Sequence, residues 1–220
     1  MKRKIGLLLL MVIFTLTACA SKDAVTFKKD YEALNGTTNS NGKEHRTLNI
    51  PKNNPMVISD AKEIIEKIEN GDTFYVYFGS PLCPWCRSVI EKAIEIANNN
   101  GVKKIYYVDF WDKEGNEILR DKYTLDDNGN LVKDIEGTTE YYKLLDYLDS
   151  VLTEYTLTAN DGEKISTGEK RIYLPTFIYF AKGSPIRLTT GISPNQTSSR
   201  EELTDEILKD EEEMFDDFFI

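Results

Sequence analysis

The feature that most constrains the fold is a pair of cysteines two residues apart, directly after a strongly apolar run. Residues 73–78 combine aromatic and β-branched side chains, which predicts a buried central strand. From Pro84 onward, apolar residues recur at helical spacing. The sequence Cys83-Pro84-Trp85-Cys86 therefore lies where a buried strand is predicted to give way to a helix.

Cysteines at this spacing in a first helical turn lie near the Cα separation of about 5.5 Å that a disulfide requires. Cys83 would meet the unpaired amides of the helix N-terminus, which stabilise a thiolate, so it is the expected nucleophile. Cys86 would be more buried and would resolve the mixed disulfide. Pro84 suits the first helical position, and Trp85 is expected on an exposed docking face. A static Cys83–Cys86 disulfide and half of a metal site are the alternatives.

The ligand count argues against the metal alternative. A closed zinc site uses four nitrogen or sulfur ligands, and the sequence offers two thiols, Cys83 and Cys86, and the single His45, because the third cysteine, Cys19, is expected to carry lipid. His45 lies in a polar segment and is expected at the surface, which also excludes a cysteine–histidine hydrolase. The net charge of −10 makes nucleic acid an unsuitable partner. We therefore expect neither a metal nor a cofactor.

The N-terminus has the pattern of an export signal. Three basic residues at 2–4 precede an apolar stretch at 5–16, about 18 Å of helix and too short to span a bilayer. The sequence Leu16-Thr17-Ala18-Cys19 resembles the lipobox of bacterial lipoproteins. That resemblance implies a signal peptide at 1–18, a diacylated Cys19 and a lipid-anchored location on the extracytoplasmic face of the cell membrane. An ordinary secretory signal and an uncleaved anchor are the alternatives.

The remaining chain divides by composition. Residues 19–55 are polar and rich in turn residues, which predicts a tether from the membrane. A capped helix is predicted at 60–69, and a second buried strand at 104–110 that would run parallel to the first. The acidic segment 111–171 is predicted to be an insertion, with a helix at 138–152 between hairpin-like pieces.

The C-terminal part begins at Leu174-Pro175. The two apolar runs that follow, joined by a glycine turn, predict an antiparallel hairpin. Residues 198–208 predict a capped amphipathic helix. Residues 209–220 mix acids with aromatic residues and are expected to form an acidic tail, either frayed or docked on a partner.

Together these features resemble the thioredoxin family over residues 58–110 and 172–208. The resemblance implies an α/β fold over 56–208, a central mixed sheet flanked by helices, with the insertion before the cis-proline strand. It also implies that Pro175 is a cis-proline facing the cysteine pair, and that an extended substrate pairs with the backbone at Leu174. In size and layout the chain is similar to bacteriocin-transport accessory proteins of Gram-positive bacteria.

One position departs from the thioredoxin pattern. Six residues before Cys83, where many relatives have a buried carboxylate that assists proton transfer at the resolving cysteine, this chain has Tyr77. Pro84-Trp85 does not by itself fix the reduction potential, so the redox direction stays open.

The expected function is that of a membrane-anchored thiol-disulfide oxidoreductase. It would exchange disulfides with exported polypeptides through Cys83 and would depend on a separate redox partner. The alternative is a non-catalytic accessory lipoprotein with the same fold, in which the Cys83–Cys86 bond is structural.

Overall fold

The computed structural model describes residues 20–220. The predicted signal peptide at 1–18 and the predicted lipidation site at Cys19 lie outside the described residues. Within the described range, no helix combines the length and apolar character needed to cross a membrane.

The described residues form both helices and strands. The helices are α1 (Lys22–Glu32), α2 (Ala61–Glu69), α3 (Pro84–Asn99), α4 (Thr139–Leu148) and α5 (Asp205–Phe218). The strands are β1 (Met56–Ser59), β2 (Phe74–Gly79), β3 (Ile105–Asp109), β4 (Lys122–Leu125), β5 (Leu131–Ile135), β6 (Thr153–Thr158), β7 (Lys164–Arg171), β8 (Thr176–Ala181) and β9 (Ser184–Thr189).

A mixed five-stranded sheet forms the centre, in the order β1-β3-β2-β8-β9. Strand β3 runs parallel to both β1 and β2, whereas β8 is antiparallel to β2 and β9 is antiparallel to β8. Tyr77 in the middle of β2 pairs with Tyr107 on one side and Phe177 on the other. The predicted α/β class, with a mixed sheet and flanking helices, is confirmed.

Side chains of β2 alternate between two cores, as the period of a strand requires. Tyr77 points to the face covered by α1, α3 and α5, where Phe27, Ile90 and Phe215 are also buried. Val76 points to the opposite face, covered by α2 and α4. Because both faces are covered, β2 is apolar along its whole length and not alternately polar.

Several local predictions are confirmed. Asp60 caps α2 by accepting a hydrogen bond from the Glu63 amide, at 2.8 Å. Pro84 is the first residue of α3, and β2 and β3 form the predicted parallel pair. The segment 111–171, predicted to be an insertion, contains α4 between two antiparallel hairpins, β4–β5 and β6–β7. Leu144 and Leu148 of α4 are fully buried, but the helix ends at Leu148 and not at residue 152 as predicted.

The prediction of a tether over residues 19–55 is wrong. Ser21 caps α1, and Phe27 and Tyr31 on that helix are fully buried in the core. Leu48 and Ile50, in the extended segment that follows, are buried in the same core. The few apolar residues of this segment lie on one face of the chain, and burying that face outweighs its polar average composition.

The prediction of an acidic tail at 209–220 is also wrong. The closing helix runs over Asp205–Phe218 with Thr204 as its cap, so residues 198–204 precede it and are not helical. Phe215 and Phe219 are buried against the same core as α3. Most of the acids face solvent, with the exception of the buried Glu211, while the aromatic residues Phe215 and Phe219, spaced four apart, pack inward.

Candidate functional site

The two cysteines lie at the start of α3, as predicted. Cys83 is the N-cap residue, and its Sγ accepts a hydrogen bond from the Cys86 amide at 3.5 Å. Cys83 is 4% exposed and Cys86 is fully buried. Both are free thiols in this structure, which therefore describes the reduced pair.

The environment of Cys83 favours its thiolate. The largest contribution is a hydrogen bond from the Cys86 thiol, which lowers the pKa of Cys83. The amides of Trp85 and Cys86 and the positive charge of Arg120 act in the same direction, and burial opposes them. The net effect is a pKa below the ordinary value for a cysteine, as expected for a nucleophile at a helix N-terminus.

Cys86 is affected in the opposite direction. Burial is the main cause that raises its pKa, and the neighbouring Cys83 raises it further. The Tyr77 hydroxyl and the Ser80 backbone form hydrogen bonds that partly offset this effect. The two thiols are therefore inequivalent: Cys83 is the one that ionises first.

The Leu174–Pro175 peptide bond is cis, as the family resemblance implied. The Leu174 carbonyl lies 3.8 Å from the Cys83 Sγ, which donates to it. Leu174 is half-buried and Pro175 is buried. Trp85 is half-buried and packs partly against the core, so it is less exposed than expected. The structure thus brings together Cys83, Cys86 and the backbone beside Pro175.

A cluster of tyrosines lies beneath Cys86. The Tyr77 and Tyr31 hydroxyls are 2.8 Å apart, and both side chains are fully buried. The Tyr77 ring stacks between Tyr107, at 5.4 Å, and Phe177, at 4.3 Å. The sequence pattern missed Tyr31 because it lies in the segment predicted to be a tether. The only sequence signal was the i, i+4 spacing of Phe27 and Tyr31.

Asp109, at the end of β3, is a second residue that the sequence pattern missed. Burial raises the pKa of its carboxyl, and hydrogen bonds from Trp111, Tyr107 and Ser80 oppose that shift. It lines a cavity of about 600 Å³, together with Leu34, Leu82 and Trp111. Parallel strands end at the same sheet edge, and that topology places Asp109 beside the loop before Cys83.

The insertion supplies a charged residue near the site. Arg120 packs over the rings of Phe110 and Trp111, with its guanidinium carbon 5.7 and 5.8 Å from the ring centroids. Its Nη2 forms a salt bridge of 2.6 Å with Glu117, and its Nη1 donates to the Ile172 carbonyl at 3.2 Å. These contacts hold the Arg120 charge on the side of the domain that carries Cys83.

The prediction that His45 is a surface residue is wrong. His45 is 6% exposed, and its Nδ1 has no hydrogen-bond partner in the described part of the chain. Among residues 20–220, no three His, Cys, Asp or Glu side chains come together in a group that could hold a metal ion. A comparison with protein-family models and with curated proteins finds no match.

Proposed function

We propose that this chain is a thioredoxin-like thiol-disulfide oxidoreductase that exchanges disulfides with exported polypeptides. The observation that carries the proposal is the inequivalence of two adjacent thiols. Cys83 caps α3 with a lowered pKa, and Cys86 lies one turn inside with a raised pKa. A static disulfide needs no such difference, whereas an exchange reaction needs one thiol to attack and the other to resolve.

The Cys83 thiolate attacks one sulfur of a substrate disulfide. A bond forms between that sulfur and Cys83 Sγ, the substrate S–S bond breaks, and the released substrate thiolate takes up a proton. Cys86 then loses its proton and attacks Cys83 Sγ, which releases the second substrate thiolate. The protein is oxidised by two electrons and the substrate is reduced by two. The same steps in reverse oxidise a substrate dithiol.

The Leu174 carbonyl is placed to orient the reacting polypeptide. It lies against Cys83 Sγ at 3.8 Å, at the start of the hairpin formed by β8 and β9. An extended peptide that paired with the backbone at Leu174 would bring its own sulfur to Cys83, in the manner of added-strand recognition. Trp85 and Pro175 would border that peptide.

The N-terminal sequence indicates the compartment in which this reaction would take place. A lipobox ending at Cys19 would anchor the domain by two acyl chains at the extracytoplasmic face of the membrane. There the chain would meet exported polypeptides that carry thiols and disulfides. The reaction needs no cofactor, but a redox partner must return the Cys83–Cys86 pair to its starting state.

The reduction potential of the Cys83–Cys86 pair tests the proposal, measured by equilibration against graded thiol buffers. A value between about −120 mV, typical of an oxidant, and about −270 mV, typical of a reductant, supports exchange and gives its direction. A pair that stays oxidised well below about −300 mV is a structural disulfide and contradicts the proposal.

Two matched variants complete the test. Cys86→Ser should accumulate a mixed disulfide between Cys83 and a substrate peptide, because the resolving thiol is absent. Cys83→Ser should form none and should keep its fold. A large fall in the melting temperature of Cys83→Ser, with no mixed disulfide in Cys86→Ser, would instead indicate a non-catalytic accessory protein.

A further inference from the structure

A basic cavity lies beside the nucleophilic cysteine. It has a volume of about 260 Å³, and Pro84, the residue after Cys83, forms part of its wall. The remaining lining residues include His45, Arg46, Arg87 and Arg200. Acidic residues outnumber basic ones, 37 to 27, in the whole sequence, so this concentration of positive charge is against the average of the chain.

Arg87 is buried, and among residues 20–220 it forms no salt bridge. Its guanidinium donates to the Tyr31 carbonyl at 2.8 Å, the Asn35 side-chain oxygen at 3.0 Å and the Arg46 carbonyl at 3.0 Å. These acceptors are neutral, and the more distant Glu91 carboxylate offsets part of the charge. A buried charge that is only partly compensated is costly, and an anion in the adjoining cavity would reduce that cost.

Arg200 and His45 extend the positive wall. Arg200 donates to the Glu44 carbonyl, and within residues 20–220 it forms no salt bridge. Burial lowers the pKa of His45, and the charges of Arg87 and Arg200 lower it further. His45 thus lines the cavity as a ring whose charge responds to nearby charges, and its buried Nδ1 has no hydrogen-bond partner among residues 20–220.

Other charged groups also act on the cavity. The carboxylates of Glu91 and Glu201 partly balance the charge of Arg46, and Glu211 adds to them once it is ionised. Glu44, also in the wall, has an exposed side chain. The start of α3 borders the cavity at Pro84 and adds the positive end of the helix dipole. Arg87, Arg200 and this helix end therefore leave the cavity with a positive surplus.

We propose that this cavity binds a carboxylate side chain of the polypeptide that reacts with Cys83. The cavity and the nucleophile share the first turn of α3, so one peptide can place a sulfur at Cys83 and an acidic residue next to Arg200. Selectivity for acidic residues near the reacting cysteine follows. The identity of the substrate rests on the proposed function, whereas the binding of an anion rests on the cavity alone.

The anion can be tested without any redox reaction, because His45 is the single histidine of the sequence. Its ring signals are followed by NMR against pH, in sodium sulfate and in sodium chloride at equal ionic strength. Sulfate in the cavity should raise the pKa of His45, and Arg200→Gln should reduce that rise while Arg200→Lys retains it. An identical pKa in both salts, in the protein that carries Arg200, would overturn the anion site.

The substrate is tested with two peptide disulfides that differ by Glu or Gln beside the reacting cysteine. We expect a kcat/KM about fivefold higher for the Glu peptide, as for a partly exposed ion pair, and loss of that preference in Arg200→Gln. Arg187→Gln is the matched control, because Arg187 is on β9, where its guanidinium lies over the ring of Tyr179 on β8, and it does not line the cavity.

The outcomes separate the two proposals. Equal reaction of both peptides would contradict the carboxylate site and leave the oxidoreductase proposal standing. Failure of both peptides to react would contradict the oxidoreductase proposal, and the sulfate titration would then decide the anion site by itself.

Discussion

The hydroxyls of Tyr77 and Tyr31 lie 2.8 Å apart beneath Cys86, and Tyr77 stands six residues before Cys83, where many proteins of the thioredoxin family have a carboxylate. A carboxylate there would accept the proton of the resolving thiol. A tyrosine hydroxyl donates to a thiolate and does not need to ionise itself, and burial raises the pKa of Tyr77 well above its ordinary value. The pair therefore stabilises the Cys86 thiolate as a hydrogen-bond donor.

Replacing Tyr77 by Phe should slow the resolution step. The substitution removes the hydrogen bond to Cys86 and leaves burial to raise the pKa of that thiol further. We expect the mixed disulfide to resolve about tenfold more slowly, which corresponds to about 1.4 kcal/mol. Stopped-flow measurement of release of the second substrate thiol checks it. Tyr179→Phe, on β8 and half-buried, is the matched control and should leave the rate unchanged.

The charge of Arg120 should contribute to the acidity of Cys83. Glu117→Gln is made first, so that removing Arg120 does not leave a buried carboxylate without its partner. In that background Arg120→Gln should raise the pKa of Cys83, because the lost positive charge no longer favours the thiolate. The pH dependence of alkylation by iodoacetamide reports the shift. An unchanged midpoint would show that the insertion has no electrostatic effect on the nucleophile.

Because α1 packs in the core, shortening a buried side chain of this helix should destabilise the protein. Phe27 is fully buried and its ring contacts Tyr31 and Tyr107, at centroid distances of 4.5 and 4.9 Å. Phe27→Ala should destabilise the domain by about 3–5 kcal/mol, measured by urea unfolding. Val25, on the same helix, is 47% exposed, so Val25→Ala should change the free energy of unfolding by less than about 0.5 kcal/mol. Equal effects of the two would contradict the packing of α1 in the core.

The central elements could be predicted from sequence because their patterns are local. A continuous apolar run gave β2, and the cap at Asp60 gave the start of α2. The cysteine pair was predictable because its chemistry lies within one helical turn. The roles of Tyr31 and Arg87 could not be predicted, because they depend on contacts between distant parts of the chain. The Arg87 guanidinium reaches the carbonyls of Tyr31 and Arg46 across a segment whose polar composition indicated a tether.

The packing of the C-terminal helix, α5, could not be predicted from its local sequence either. Its acids dominate the local composition, while the contacts that fix it come from Phe215 against Phe177, with ring centroids 5.1 Å apart, and from α3. The Phe215 ring also packs directly on the backbone at Gly191, where a Cβ atom would lie 2.1 Å from the ring. Neither contact has a signature in the sequence of the helix itself.

Glu211, on the inner face of this helix, should make stability depend on pH. It is fully buried, neither carboxyl oxygen has a hydrogen-bond partner among residues 20–220, and burial raises its pKa to about 8 against the charges of Arg46 and Lys92. In the unfolded chain a glutamate ionises near pH 4.3. Between these values the unfolded state has lost the proton that the folded state keeps.

Stability should therefore be highest at low pH within this window and should fall as the pH rises from about 4.5 to about 8. Glu211→Gln keeps the shape and removes the ionisation, so it should flatten that part of the profile and stabilise the protein at pH 8 by up to about 5 kcal/mol. The measurement is the free energy of unfolding in urea at a series of pH values. Glu212→Gln, the exposed neighbour, is the matched control. If both variants lose the same slope, the pH dependence does not arise from the buried carboxyl.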